Sequence, residues 1–289
     1  MKLVIAISAA LTHASEPARE FVESVTELLR DGHRVAIVHG PANEGGPGAA
    51  SSQPHLVSRN GDYGTAMNCA PASAGNVPGA EASVLSAHLN AAQIHSMVLH
   101  GSDAGICKIR KKLWDRNKSG EVEVYAVETR WIETICANRG VPVISNLLMN
   151  VSGNFYTVDT NHLAALCAMG WNADLLVYMT EEEGVKDLGG TVLRWLEAEE
   201  IDPCAQNAVN KALISRLKFC KQALQGGVHR VRLLPVSRVK CLPLFYFSRI
   251  EYGTEVILSC APRRTEAAVA AHGSVEAFPL RAYNKQGGR

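Results

Sequence analysis

The sequence predicts an α/β fold with a largely parallel central sheet, and three stretches carry that prediction. Residues 3 to 11, LVIAISAAL, are a continuous apolar run of strand length, the pattern of a parallel strand buried on both faces. Residues 16 to 31, EPAREFVESVTELLRD, carry helical periodicity, and RVAIVHG follows as a second strand; together they make a right-handed β-α-β unit. Val141 to Asp187 repeats that alternation. It runs from the strand VPVI through a loop containing Gly153 to a helix from near Asn161 to about Trp171. The strand DLLVYMT then ends in the acidic turn EEEGVKD.

The elements follow from local signals. In the first helix Phe21, Val22, Val25, Leu28 and Leu29 fall at three- and four-residue spacings with charges between them. Pro17 suits the first helical turn and Gly32 a C-terminal cap. Residues 41 to 82 are dominated by Gly, Ala, Ser, Pro and Asn, which predicts a long flexible loop of insertion character. Order returns with the helical SVLSAHLNAAQIHSM and the strand MVLHGSD. KIRKKLWDRNKSG, residues 108 to 120, is basic and ends in a turn; VEVYAV is a strand; residues 128 to 138 read as a helix capped near Arg139 and Gly140. Beyond the acidic turn, TVLRWLEAEE, around 190 to 199, reads as a helix, and a longer helix covers 208 to 225. The strand VHRVRLLPV follows, and EYGTEVILS closes the fold. One domain over 1–259 is expected, with 260–289, rich in Ala, Arg and Gly, as a loose tail.

Composition narrows the function classes. Of 289 residues, 47% are apolar and 20% charged, ordinary for a globular protein, and the formal net charge of +1 provides no field toward nucleic acid or an anionic membrane. No apolar run approaches the ~18 residues of a membrane span, and MKLVIAIS is too short for a signal peptide. The eight cysteines, at 69, 107, 136, 167, 204, 220, 241 and 260, form no C-x-x-C pair. That predicts free, mostly buried thiols in a reducing cytoplasm and no zinc site.

Ligands of such sheets bind outside the carboxyl ends of the strands, so the loops after VIAI, AIVHG, PVIS and VYMT are where chemistry is expected. Four landmarks there resemble, in order, those of the amino-acid kinase family, and most of all its acetylglutamate kinases. They are DGHRVAIVHG, VPVIS with NVSGNFYTVDTNHLAALCA, LLVYMTEEEGVKD, and ALISRLKFCKQALQGGVHRV; EYGTEV is similar to the family's terminal Gly-Thr. The resemblance spans about residues 3 to 259. It implies a three-layer α-β-α sandwich. It also implies ATP-dependent phosphorylation, with magnesium, of the side-chain carboxylate of N-acetyl-L-glutamate, and assembly into oligomers. Catalysis of that kind is positioning plus charge stabilisation by two lysines, an aspartate that orients them, and glycine amides.

At those positions this chain departs from the family. The first-strand lysine aligns with Ala6, the Gly-Gly with Ser8 and Ala9, and the His-Gly-Gly-Gly run becomes His39, Gly40, Pro41, Ala42. Pro41 has no amide hydrogen to donate. The aspartate aligns with Asn161, the substrate-holding asparagine with Thr157, and the second lysine with Arg216. By the same correspondence His39, Gly40, Thr157 and Asp159 face substrate, while Ser8, Ala9, Thr180, Glu181 and Gly184 face nucleotide. Lys2 shares a strand face with Ala6 but lies far from the strand's active end.

Structural roles are the alternative at each position. His39 can be a satisfied strand-end histidine, Asn161 an N-cap, and Arg216 a surface or salt-bridged helix arginine. The Lys108 to Lys118 run and the turn Glu181 to Glu183 can be solvated. The expected protein is a weak or inactive pseudokinase binding a small acidic metabolite or nucleotide. It is expected as a homo-oligomer or as a hetero-oligomer with an active relative, and no metal-ligand set is predicted. Three alternatives stay open: an active divergent carboxylate kinase using Arg216 with Lys108 or Lys111, a non-catalytic regulatory subunit, and a purely structural or interaction protein using 41 to 82 and the tail.

Overall fold

The alternating apolar runs become strands wrapped by helices. The computed structural model describes residues 1–7, 11, 15–40, 80–111, 122–149, 155–187, 189–201, 211–246 and 252–258. The described residues fall within one compact unit, Met1–Leu258. Its elements are β1 (Lys2–Ile7), α1 (Glu16–Arg30), β2 (Arg34–His39), α2 (Ala80–Ala91), β3 (Ser96–His100), β4 (Cys107–Lys111), β5 (Val122–Val127) and α3 (Arg130–Ala137). There follow β6 (Val141–Ser145), β7 (Leu147–Met149), β8 (Phe155–Thr157), α4 (Thr160–Trp171), β9 (Leu175–Thr180), β10 (Trp195–Glu197), α5 (Lys211–Gln225), β11 (Arg230–Pro235) and β12 (Thr254–Ile257). A 3-10 segment, Val236–Tyr246, links the last two strands.

Among the described residues, eight strands form the central sheet in the order β10-β12-β11-β9-β1-β2-β6-β3. From β3 to β11 every neighbouring pair is parallel. β12 runs antiparallel to β11, and β10 is parallel to β12. Period-two alternation along β1 explains the three layers. Val4 and Ala6 face the layer of α3, α4 and α5, where Ile132, Leu163, Ala164, Cys167, Leu217 and Cys220 are buried. Leu3, Ile5 and Ile7 face α1, α2 and the 3-10 segment, against Phe21, Val25, Leu85, Leu89 and Leu242. Both faces are covered, which is why the strands read as unbroken apolar runs rather than alternating ones. The α/β class and the mostly parallel sheet with flanking helices are therefore as expected.

Local signals placed several boundaries correctly. Ser15 caps α1 by accepting the Ala18 amide at 3.4 Å, with Pro17 in the first turn. Gly32 turns the chain at φ +79° and Arg139 follows α3 at φ +58°. The predicted helix around 190 to 199 is a correction: Trp195–Glu197 is strand β10, paired from Trp195↔Glu255 to Glu197↔Ile257. Ladder partners on β12 override the local preference of those residues, the usual way in which context decides a short segment. A second correction concerns the cap of α4. Asp159, not Asn161, is its N-cap, with the carboxylate accepting the amides of Asn161 and His162 at 2.8 and 3.1 Å. The Gly153 loop is flanked by the antiparallel pair β7/β8, which the sequence did not reveal. The segment 41–82 lies mostly outside the described residues, as do 208–210 and the tail 260–289; α2 already begins at Ala80.

The β11/β12 pair is locked by charge. Arg230 Nε and Nη2 donate to the two oxygens of Glu255 at 2.7 and 3.1 Å, and Arg232 Nε adds a bond at 2.8 Å. Next to Glu255, Thr254 Oγ1 accepts the Val185 amide at 2.9 Å and donates to the Leu193 carbonyl at 2.6 Å. This small network ties the turn after β9 to the sheet.

Candidate functional site

The carboxyl edge of the sheet aligns Ile7, His39 and Ser145 on β1, β2 and β6, and Thr180 with Pro235 on β9 and β11. Chain order reverses at β1, which has β2 on one side and β9 on the other, so a crevice is expected above it.

On the α4/α5 side, Arg216, Asn161 and Ala6 come together with Glu182 of the acidic turn and with Tyr178, which the sequence did not single out. Arg216 Nε, from α5, donates to Asn161 Oδ1 at 3.1 Å. Its Nη1 stands 3.7 Å from Glu182 Oε2, with the arginine side chain only 15% exposed. Tyr178 donates its hydroxyl hydrogen to the Asn161 carbonyl at 2.8 Å. Ala6, 4% exposed, is in register with Tyr178 on the neighbouring strand and belongs to the same buried cluster. The position that the resemblance gives to a lysine is thus an apolar site beside an aromatic ring. Asp159 serves the helix through its cap bonds, and burial pushes the Tyr178 phenol well above its ordinary pKa, leaving it a neutral donor.

The acidic turn is held by its backbone. Thr180 Oγ1 donates to the Glu182 carbonyl at 2.6 Å, and the Glu183 carboxylate accepts the Ser237 hydroxyl at 3.1 Å. Gly184 sits at φ +141°, and a Cβ there would come within 2.7 Å of Val192 Cγ1 and 2.8 Å of Thr254 Oγ1, so only glycine fits. Of the three acids it is Glu182 that reaches Arg216. No sequence signal distinguishes them, because adjacent turn residues are compositionally identical.

The other expected residues lie elsewhere. His39 shares the α1/α2 face with Ile7 and Ile37, opposite the α4/α5 layer of Asn161 and Arg216. It is 3% exposed, with Nε2 at 3.9 Å from Glu81 Oε2 on α2 and no hydrogen-bond partner among the described residues. Burial pushes its pKa down to about 4, so the ring is neutral at pH 7. The Gly40 amide donates to the Ile7 carbonyl at 3.4 Å, so it is already engaged. Thr157 ends β8, its side chain outside the described residues; Ser8 and Ala9 lie outside them altogether. Lys2 is at the amino end of β1, 3.0 Å from Glu133 and over the Trp171 ring, remote from the crevice. Cys107, Cys136, Cys167 and Cys220 are buried free thiols, and Cys241 is free and half-buried.

Comparison with known proteins agrees with this architecture. Residues 1–235 match the sequence profile of the Amino acid kinase family. An acetylglutamate kinase of Acidobacterium capsulatum is 31% identical over 268 residues, covering 90% of this chain and 100% of the relative. An acetylglutamate kinase of Koribacter versatilis is 31% identical over 266 residues, covering 89% and 99%. Among solved structures, N-acetylglutamate synthase from Neisseria gonorrhoeae superposes with a TM-score of 0.66 at 18% identity, over 89% of this chain and 59% of that longer one. Carbamate kinase from Giardia lamblia gives a TM-score of 0.59 at 13% identity, over 89% and 98%. At those identities the two structures establish the fold alone, while the family profile and the two kinase relatives reach further: this chain belongs to the amino acid kinase family.

Proposed function

We propose that this chain is an acetylglutamate kinase-like protein in which phosphoryl transfer is weak or lost. Its remaining role is to bind a small acidic metabolite or a nucleotide at the carboxyl edge of the sheet. One observation carries the reading. Arg216, aligned with the family's second lysine, stands at this edge tied to Asn161, while Ala6, aligned with the first, is buried beside Tyr178.

Kinship with kinases implies ATP, with magnesium, as phosphoryl donor. The described residues fit that group incompletely. Ala6 brings no charge, Asn161 has replaced the orienting carboxylate, and the Gly40 amide is already bonded to Ile7. Magnitudes favour loss over compensation. One missing donor in an anion cradle costs roughly 100- to 1,000-fold in rate, and one missing charge-stabilising cation about 1,000- to 100,000-fold. The losses are not additive, yet several together leave little acceleration. Replacing lysine and aspartate together also avoids leaving one buried charge unpaired.

A second reading, an active divergent carboxylate kinase, draws on Arg216 itself, a cation retained at the sheet edge and partly open to solvent. A regulatory subunit paired with an active relative is compatible with either. Among the described residues no helix is long and apolar enough to cross a membrane. We place the protein in the cytoplasm on the free thiols.

The test is acyl-phosphate trapping: stoichiometric protein, magnesium-ATP and N-acetyl-L-glutamate, with product captured as the hydroxamate. No product above the protein-free control is the expected result. Product that disappears in Arg216→Ala would overturn this reading in favour of the active kinase.

A further inference from the structure

Glu182 is presented to Arg216 by a turn with little freedom. Its carbonyl is held by Thr180, the Val185 amide by Thr254, and the intervening Gly184 by a φ that admits no side chain. The neighbouring Glu183 is drawn to Ser237 instead. The result is a carboxylate 3.7 Å from a guanidinium whose other bond, to Asn161, fixes its direction. The Arg216 guanidinium thus meets an acid supplied by its own chain.

We propose that Glu182 sets the anion affinity of this site. It is an internal stand-in for the ligand's oxyanion, carboxylate or phosphate, and an acidic ligand binds Arg216 by displacing it. The proposal rests on Arg216 being the ligand-binding cation. Two effects work against an incoming anion: Arg216 is already partly neutralised, and Glu182 repels a second negative charge. Both are moderated by solvent, because the glutamate side chain is 34% exposed. Removing the charge should therefore tighten binding by about tenfold, as expected for a close pair of intermediate burial.

Calorimetric titration at low salt tests this with N-acetyl-L-glutamate and with ATP as separate probes, so that the carboxylate and phosphate sources are distinguished. Glu182→Gln retains the carbonyl that accepts from Thr180 and should tighten the ligand that uses Arg216 about tenfold. Glu183→Gln, in the same turn but held by Ser237, should change it less than twofold. Combining Arg216→Gln with Glu182→Gln should abolish the gain, with thermal unfolding checking that each variant is folded. If Glu182→Gln binds like the parent while Arg216→Gln weakens binding, the stand-in role is wrong but the Arg216 site survives. If Glu183→Gln tightens binding equally, a general field of the acidic turn is responsible and the proposal is overturned. If Arg216→Gln changes nothing, or no variant binds either probe, both the proposal and the site beneath it fail.

Discussion

Replacing Glu255 by glutamine removes the negative charge from a triad in which Glu255 and Arg232 are buried and Arg230 is partly exposed, and nothing of its volume. In the parent, Glu255 and Arg232 have side chains 6% and 5% exposed, and Arg230 completes the group. The variant leaves two guanidinium groups sharing a neutral amide. Breaking a buried pair in this way costs about 3–5 kcal/mol, because the surviving charge stays desolvated. For a domain of this size each kcal/mol is worth roughly 2–4 °C in Tm, so a fall of roughly 6–20 °C is expected. Acid should erase part of the difference. Burial raises the Glu255 pKa, but the bonds and charges of Arg230 and Arg232 outweigh it and hold the carboxyl below its ordinary value. A carboxylate with a depressed folded pKa stabilises above its unfolded pKa, about 4.3, and that contribution is lost as pH falls through the folded value. Urea unfolding of both proteins between pH 7 and 3 checks this: the gap in stability should be widest near neutrality and shrink below about pH 4. A gap under 1 kcal/mol at pH 7, or one that widens in acid, would refute the claim that this triad locks β12 and, through Thr254, the Glu182 turn.

Two further outcomes are expected. His39 is buried with a pKa near 4, below its unfolded value of about 6.5, so its neutral form contributes stability above pH 6.5 that is lost between there and pH 4. His39→Gln should flatten that part of the pH–stability curve, and an unchanged slope would mean that Glu81, 3.9 Å away, balances the burial. Ala6→Lys alone should destabilise strongly by burying a lone ammonium, whereas Ala6→Lys with Asn161→Asp should recover roughly 1–3 kcal/mol through a favourable coupling. A double-mutant cycle by urea unfolding measures that coupling, and a value near zero would show that the two positions do not face each other across the β1/α4 contact.

Much of this molecule is legible residue by residue. The apolar run from Leu3 to Ile7, the period of Phe21, Val25 and Leu28, and the turn glycine at 32 are local signals, and β1, α1 and the turn after it stand where those signals put them, while residues 8–10 of the run LVIAISAAL lie outside the described residues. The misreadings come from segments whose state depends on distant partners. Trp195–Glu197 has helix-compatible residues but is a strand because β12 offers it a ladder. Asn161 and Asp159 are both competent caps, and the choice between them depends on where the helix starts.

The sequence by itself determined the α/β alternation, the parallel core buried on both faces, and the identities of Ala6, Asn161 and Arg216 on which the proposed function rests. These are properties of periodicity and residue identity, which neighbouring positions carry on their own. Only the tertiary structure decided that Arg216 meets Asn161 across 55 residues, that Glu182 rather than Glu181 faces it, and that His39 turns to the opposite face of the sheet. Those choices depend on how helices and turns pack against a twisted sheet, and no short stretch of chain contains the geometry that makes them.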